Sequence, residues 1–262
     1  MADARLLTLK DGPIGWLTFS NLARLNAMTF DMWSGVPAVM AEFEADPTIR
    51  VVVLRGDGDK AFVSGADISE FEQKRGTADA IALYNAAGDA ANVAIEACRK
   101  PTLAMLQGYC IGGGLGIALA CDLRLAARNT RFAVPAAKLG LGYRYSGIKR
   151  LVDVVGPSFA KEIFYSARQF DIEEALAMGL VNRAVDTADL ERAVNDLARR
   201  IANNAPLTIT AAKLAIDAAV ADPGDADLDA VDRAVARCFE SRDYREGRRA
   251  FTEKRPPVFN AR

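Results

Sequence analysis

The chain of 262 residues contains no histidine. That absence removes the Ser-His-Asp triad, the Cys-His pair and every histidine-ligated metal from consideration. Proton transfer falls to Asp, Glu, Tyr, Lys, Cys or bound water. Cysteine is scarce as well: Cys98, Cys110, Cys121 and Cys238 are the only four, and none has CxxC spacing. They read as buried free thiols of a reducing compartment rather than a disulfide framework or metal knuckle. Neither sign of charge is in excess, 33 basic residues against 34 acidic ones giving a formal −1. No overall field therefore draws the chain to nucleic acid or to an anionic membrane. Long apolar runs are missing too, because Gln107 and several glycines interrupt the stretch from Leu103 to Cys121, which argues against a membrane span. The opening MADARLLTLKDG is charged where a secretory segment would be apolar. The expectation is a soluble cytoplasmic protein with no metal.

What is present is an ordinary globular composition, 51% apolar and 26% charged, in a length that suits one large domain or one domain with an appendage. RLLTL and GWLTF alternate around KDGPI and predict a hairpin. A helix is expected from about Thr29, as N-cap, to Glu44, with Gly35 and Pro37 against it. RVVVLRG, AFVSG, TLAML and DLRLAA read as strands, and LVNRAV as a strand-like interruption. A long helix is expected over about Ala78–Cys98, and helices dominate from Gly147 onward. Strands alternating with helices predict an α/β core, and the helical end an appended unit. The acidic DPGDADLDAVD, 222–232, reads as a solvated turn and helix start.

The stretch CIGGGLGIALACD, 110–122, sets three glycines where a loop enters an apolar helix. The first amides of a helix lack internal partners, and its dipole favours negative charge beside them. Bare backbone lets a ligand approach, so the site suits an anion or an oxygen that becomes one during reaction. The alternative is that the glycines only permit close helix–strand packing. Neither GxGxxG nor GK[ST] fits, since Ile117 stands where the former needs glycine. A second segment, AFVSGADISEF at 61–71, also runs from a strand through Gly65 and Ala66 toward a helix. Two such junctions can point at one shared oxygen.

SGADISEF together with LAMLQGYCIGGGLGIALACDLRLA resembles the crotonase superfamily, the enoyl-CoA hydratase/isomerase family. RLNAM at 24–28, ALAMGLVNRAV at 175–185 and the closing REGRRAFTEKRPPVF extend the resemblance over nearly the whole chain. The resemblance implies a spiral of ββα units over 1–200, with a helical region over 201–262 that mediates homotrimers, commonly paired into homohexamers. It implies an acyl-CoA thioester substrate, with CoA as part of the substrate and no separate cofactor. It implies an enolate held at the thioester oxygen by the backbone amides of Ala66 and Gly113. One such donor is typically worth ~3 kcal/mol in the transition state. Asn26 and Ala27 lie in the segment that contacts the nucleotide end of CoA, and Gly65, Asp67 and Ile68 flank the first amide. Arg24 and Lys254 are the candidates for the phosphates, or else solvated surface residues.

The same resemblance exposes a departure. The family's hydratases use two glutamates, at positions that fall here on Gly116 and Ala136. Neither residue can move a proton, so two-carboxylate hydration and the isomerisation that relies on the second glutamate are both in question. LGLGYRYSGIKRL resembles the methylmalonyl-CoA decarboxylase branch, where a tyrosine falls at Tyr143. Ala66 and Pro135 depart from that branch, which often has histidine and threonine there. Loss of CO₂ from a malonyl-type thioester gives an enolate directly and needs no base. Tyr143 would then orient the carboxylate or return a proton, or else only line the acyl pocket. Lys138 and Arg144 are expected to face solvent or pair with a substrate carboxylate. Asp67 is expected as a helix cap, with Glu70 on the early turn. The alternatives are a hydratase with relocated acid–base groups and a non-catalytic acyl-CoA-binding paralogue.

Overall fold

A computed structural model describes residues 4–70, 77–222 and 224–261. The hairpin forms as expected: β1 (Arg5–Asp11) turns through Gly12 and Pro13 into β2 (Ile14–Ser20), pairing antiparallel from Arg5↔Ser20 to Asp11↔Ile14. From β2 inward the large sheet is parallel, in the order β1-β2-β3-β5-β7-β9, with β3 (Val51–Gly56), β5 (Thr102–Leu106), β7 (Leu123–Ala127) and β9 (Arg183–Val185). Apolar residues on both sides of each central strand mark burial on both faces. Ile14, Trp16, Val51, Val53, Leu103 and Leu125 meet Leu190, Val194, Ala198 and Ala202 of one amphipathic helix. Leu17, Phe19, Val52, Leu54, Ala104 and Leu106 face the larger core on the other side.

A second, smaller sheet was not expected in full. It has the order β4-β6-β8, all parallel, from β4 (Ala61–Val63), β6 (Tyr109–Ile111) and β8 (Arg131–Ala133). The sequence reading placed a strand at 61 but a loop at 107–111 and nothing at 131. Each large-sheet strand β3, β5 and β7 is followed at once by one strand of the small sheet and then by helix, which is a spiral of ββα turns. The helices in order are α1 (Phe30–Ala45), α2 (Ala78–Glu96), α3 (Gly113–Ala120), α4 (Ala136–Leu139) and α5 (Tyr145–Ser166). They continue as α6 (Ile172–Ala177), α7 (Leu190–Ala202), α8 (Pro206–Val220), α9 (Leu228–Glu240) and α10 (Arg242–Thr252).

Helix α1 starts as predicted: Thr29 accepts from Met32 N–H, and the Glu70 carboxylate accepts from Phe30 N–H at 2.8 Å. Pro37 lies inside α1 without ending it. Helix α7 packs on the large sheet, and α8–α10 follow beyond it. Asp227 caps α9, while Asp222, expected as solvated, accepts from Tyr145 and pairs with Lys149. Cys98, Cys110 and Cys121 are buried, but Cys238 is only half-buried, because its helix α9 lies outside the core. Among the described residues no helix is long and apolar enough to cross a membrane, and no cluster of Cys, Asp and Glu has the spacing of a metal site.

Candidate active site

The small sheet builds the site. Its three strands run parallel, so their chain ends emerge at one edge, and each end carries one of the segments singled out in the sequence. From β4 the chain passes to Gly65 and Ala66, from β6 to Gly112 and Gly113, and from β8 to Pro135 and Ala136. Gly112 N–H donates to Ala133 O at 2.8 Å, which locks the second and third ends together. Met28 N–H donates to Gly65 O and Asp67 N–H to Met28 O, which ties the 24–28 loop to the first.

Each glycine of the triplet has its own reason. Gly112 has φ +54° and Gly65 φ +117°, conformations that side-chain-bearing residues rarely adopt. A Cβ on Gly114 would stand 2.1 Å from the carbonyl oxygen of Val63, so this glycine lets α3 press on the end of β4. A Cβ on Gly113 would stand 3.0 Å from Cζ2 of Trp33 and 4.0 Å from the amide nitrogen of Ala66. The packing alternative accounts for Gly114, whereas Gly113 brings its amide beside that of Ala66. Among the described residues neither the Ala66 nor the Gly113 N–H donates a hydrogen bond. At the other end of α3 the buried Arg124 donates to Ala118 O and Cys121 O. That ties down the C-terminal end of α3.

The walls follow from the neighbouring helices. Tyr143 places its hydroxyl 4.0 Å from the position a Cβ would take on Gly112, and its ring packs edge-on against Phe164 at 5.0 Å. Arg144 pairs with Asp89 of α2 at 2.5 Å, and Arg150 further along α5 pairs with Glu96 of α2. These two pairs hold the 143–145 segment against α2. Arg144 is thus engaged within the protein rather than simply solvated, whereas Lys138 is exposed. At the two positions where the resemblance leads one to expect carboxylates, Gly116 faces the side-chain amide of Asn92, and Ala136 is buried with 3% exposure. Trp33 Nε1–H and Asn92 Oδ1 are buried without a partner among the described residues. Such an atom costs about 1–3 kcal/mol when left unmade. Neither Trp33 nor Asn92 was singled out in the sequence. Their signal is spatial only, since each becomes notable by what it touches on α3.

The other residues named from sequence fall into two groups. Asn26 is buried with 1% exposure and donates to Asp57 O and Ala61 O. The Asn26 side chain is thus spent inside the fold, and the backbone there is engaged too: Asn26 N–H donates to Asn21 O, Ala27 N–H to Arg24 O, and the Ala27 carbonyl accepts from Asn21 Nδ2. Asp67 is buried and accepts from Ser69 N–H and Oγ, with Arg24 Nε 3.5 Å away. This is the cap expected of it, and it pairs with the half-exposed Arg24. Ile68 opens a short turn to Glu70, while the helix expected beyond Phe71 starts outside the described residues. Lys254 is not brought to this edge by its own chain. Its tail docks where Arg50 donates to Phe259 O, at the start of β3, whereas the Asn26 loop sits at the end of that strand. A cavity of about 620 Å³ lies beside that tail, between Pro47, Arg50, Lys100, Leu207 and Arg237. Arg50 and Lys100 spend their donors there on backbone carbonyls, which marks them as structural.

The amides of Ala66 and Gly113, neither donating within the chain, thus stand side by side at the ends of parallel strands, an arrangement chemically suited to an anionic oxygen. The chain belongs to the enoyl-CoA hydratase/isomerase family, whose model matches residues 10–262. It is 33% identical over 246 residues to the short-chain-enoyl-CoA hydratase of Clostridium acetobutylicum, covering 94% of both chains. It is 33% identical over 267 residues to the carnitinyl-CoA dehydratase of Salmonella typhi, covering the whole of both. Its fold matches the crystal structure of an enoyl-CoA hydratase/carnithine racemase from Magnetospirillum magneticum with a TM-score of 0.92. That comparison has 37% identity and covers 100% of this chain and 97% of the other. The fold is thus the crotonase fold, and the chain is an enzyme of that family acting on acyl-CoA.

Proposed function

We propose that this enzyme stabilises a thioester enolate between the amides of Ala66 and Gly113 without a catalytic carboxylate pair, and that loss of CO₂ from a malonyl-type acyl-CoA is its reaction. The observation that carries the reading is the Tyr143 hydroxyl beside Gly112, at a site where Gly116 and Ala136 supply no acid or base. In such a reaction the bond between Cα and the carboxylate breaks and CO₂ departs. The electron pair moves into the thioester, making its oxygen anionic between the two amides. A proton from the Tyr143 hydroxyl, replenished from water, or from water itself then closes the new C–H bond. The chemistry draws on no cofactor beyond the CoA carried by the substrate. Arg24 contributes to the CoA phosphates from its own chain. Lys254 reaches them only across a subunit boundary, in a homotrimer or a pair of trimers.

A second reading, hydration of an enoyl-CoA with acid–base groups elsewhere, is favoured by the hydratase names of relatives at about one-third identity. One experiment separates the two. The pure protein is incubated with crotonyl-CoA, malonyl-CoA and methylmalonyl-CoA, and the products are weighed by mass spectrometry. Loss of 44 mass units, the mass of ~1 CO₂, lowered about 100-fold in Tyr143→Phe, supports decarboxylation. Gain of water on crotonyl-CoA alone overturns it and supports the hydratase. Tight binding of every ester with no product leaves the acyl-CoA-binding paralogue.

A further inference from the structure

Gly113 and Gly116 are three residues apart on α3, so they share one face of the helix, about one turn or ~5 Å apart. The first presents the oxyanion donor. At the second, the nearest side-chain atom to a Cβ built there is Nδ2 of Asn92, at 3.9 Å. Asn92 comes from α2, between Asp89 and Glu96, which hold Arg144 and Arg150 of α5. Its Oδ1 is buried with no donor, and among the described residues Nδ2 has no acceptor. An amide kept with its oxygen unsatisfied while its N–H₂ group faces bare glycine is poorly explained by packing. What bears on a ligand is the N–H₂ group, which has no acceptor among the described residues and can donate to a ligand oxygen beside Gly116, while Oδ1 takes no part in that contact.

We infer that Asn92 is the residue that selects and orients a carboxylate on the acyl group, one helical turn from the thioester oxygen. The inference rests on the reading that Ala66 and Gly113 hold that oxygen. A neutral amide suits the task. A guanidinium would stabilise the carboxylate in the ground state, and that charge leaves the carboxylate as CO₂ departs, so the barrier would rise. The nearest guanidinium on this wall, that of Arg144, is held by Asp89. Asn92 thereby gives direction to the carboxylate with less charge stabilisation to undo.

The test uses succinyl-CoA and butyryl-CoA, which match in chain length, differ in one terminal carboxylate and lose no CO₂ by an enolate route. Competition against a fluorescent acyl-CoA gives the ratio of their affinities for the full-length protein. Asn92→Leu is expected to lower the preference for succinyl-CoA at least tenfold. Asn92→Asp is expected to lower it about 100-fold at pH 7.5, where the new carboxylate and that of succinyl-CoA are both ionised and repel each other. An unchanged ratio in both variants overturns the assignment. The ratio is read whether or not the protein decarboxylates anything, so absence of CO₂ loss sinks the proposed reaction and not this residue. Failure of the wild type to bind either ester overturns both.

Discussion

The benzo edge of Trp33 rests on Gly113, so close that a Cβ on the glycine would stand 3.0 Å from Cζ2 and 3.3 Å from Cη2. One aromatic ring from α1 thus bears directly on the first turn of α3. The neighbouring Gly114 is constrained instead by the carbonyl of Val63, a backbone atom that cannot step aside.

These adjacent glycines should fail differently. Gly113→Ala pushes the Trp33 ring, or the α3 amide, by a few tenths of an ångström. Turnover should fall 10²–10³-fold, as for loss of one oxyanion donor, while thermal unfolding moves by no more than about 1 kcal/mol in stability. Gly114→Ala meets rigid backbone at 2.1 Å, and should cost about 3 kcal/mol or yield insoluble protein. Calorimetry and turnover on the two variants check the contrast. Equal stability loss in both would show that Trp33 is as immovable as Val63.

The Asp89–Arg144 pair links α2 to the segment carrying Tyr143. Both side chains are substantially exposed, so Asp89→Asn should change stability by less than about 1 kcal/mol. It should nevertheless lower turnover several-fold, because Tyr143 loses its neighbouring tether, and Asp89→Glu should restore part of it. A kcat unchanged in Asp89→Asn would remove the tether from the account.

Burial pushes the thiols of Cys98, Cys110 and Cys121 above the ordinary range, with desolvation as the leading cause in each. In the folded enzyme at pH 8 these three should resist iodoacetamide, which attacks the thiolate. Cys238, half-buried on α9, is the one expected to react. Peptide mapping should find one modified cysteine in native protein and four after denaturation.

The C-terminal tail should loosen in acid. Arg255 hydrogen-bonds Glu246 and holds its carboxyl down to about 2 from 4.5, helped by the N–H of Val258. A carboxyl lowered on folding stabilises the docked tail fully above pH 4.5. It loses that contribution as the pH falls through about 2. Hydrogen exchange should find the Val258 amide protected at pH 5 and unprotected near pH 2. In Glu246→Gln it should be unprotected at both.

Much of this architecture was legible because it follows repeating chemistry. VVVL and TLAML are strands buried on both faces, Thr29 caps a helix, and the glycine triplet announces a junction. Less legible was the small sheet. Three-residue strands such as Tyr109–Ile111 and Arg131–Ala133 are too short to show alternation, and their pairing is set by partners some twenty residues or more away. Yet that sheet gathers Ala66, Gly113 and Ala136 at one edge. Asn92 and Trp33 were equally invisible, since nothing about an asparagine mid-helix or a tryptophan in α1 says which glycine it will face. Lys254, named from the closing motif alone, is not brought to that edge within its own chain, because the tail docks at the start of β3.

On the proposed reading, the grip on the thioester oxygen is written in main chain, at the tips of β4 and β6, while the groups that decide what happens next are side chains on separate turns of the spiral. Substitution at Gly116, Ala136, Asn92 or Tyr143 therefore exchanges the reagent without disturbing the anchor. On that reading, the side chains around the site can be exchanged one at a time while the main-chain anchor stays in place.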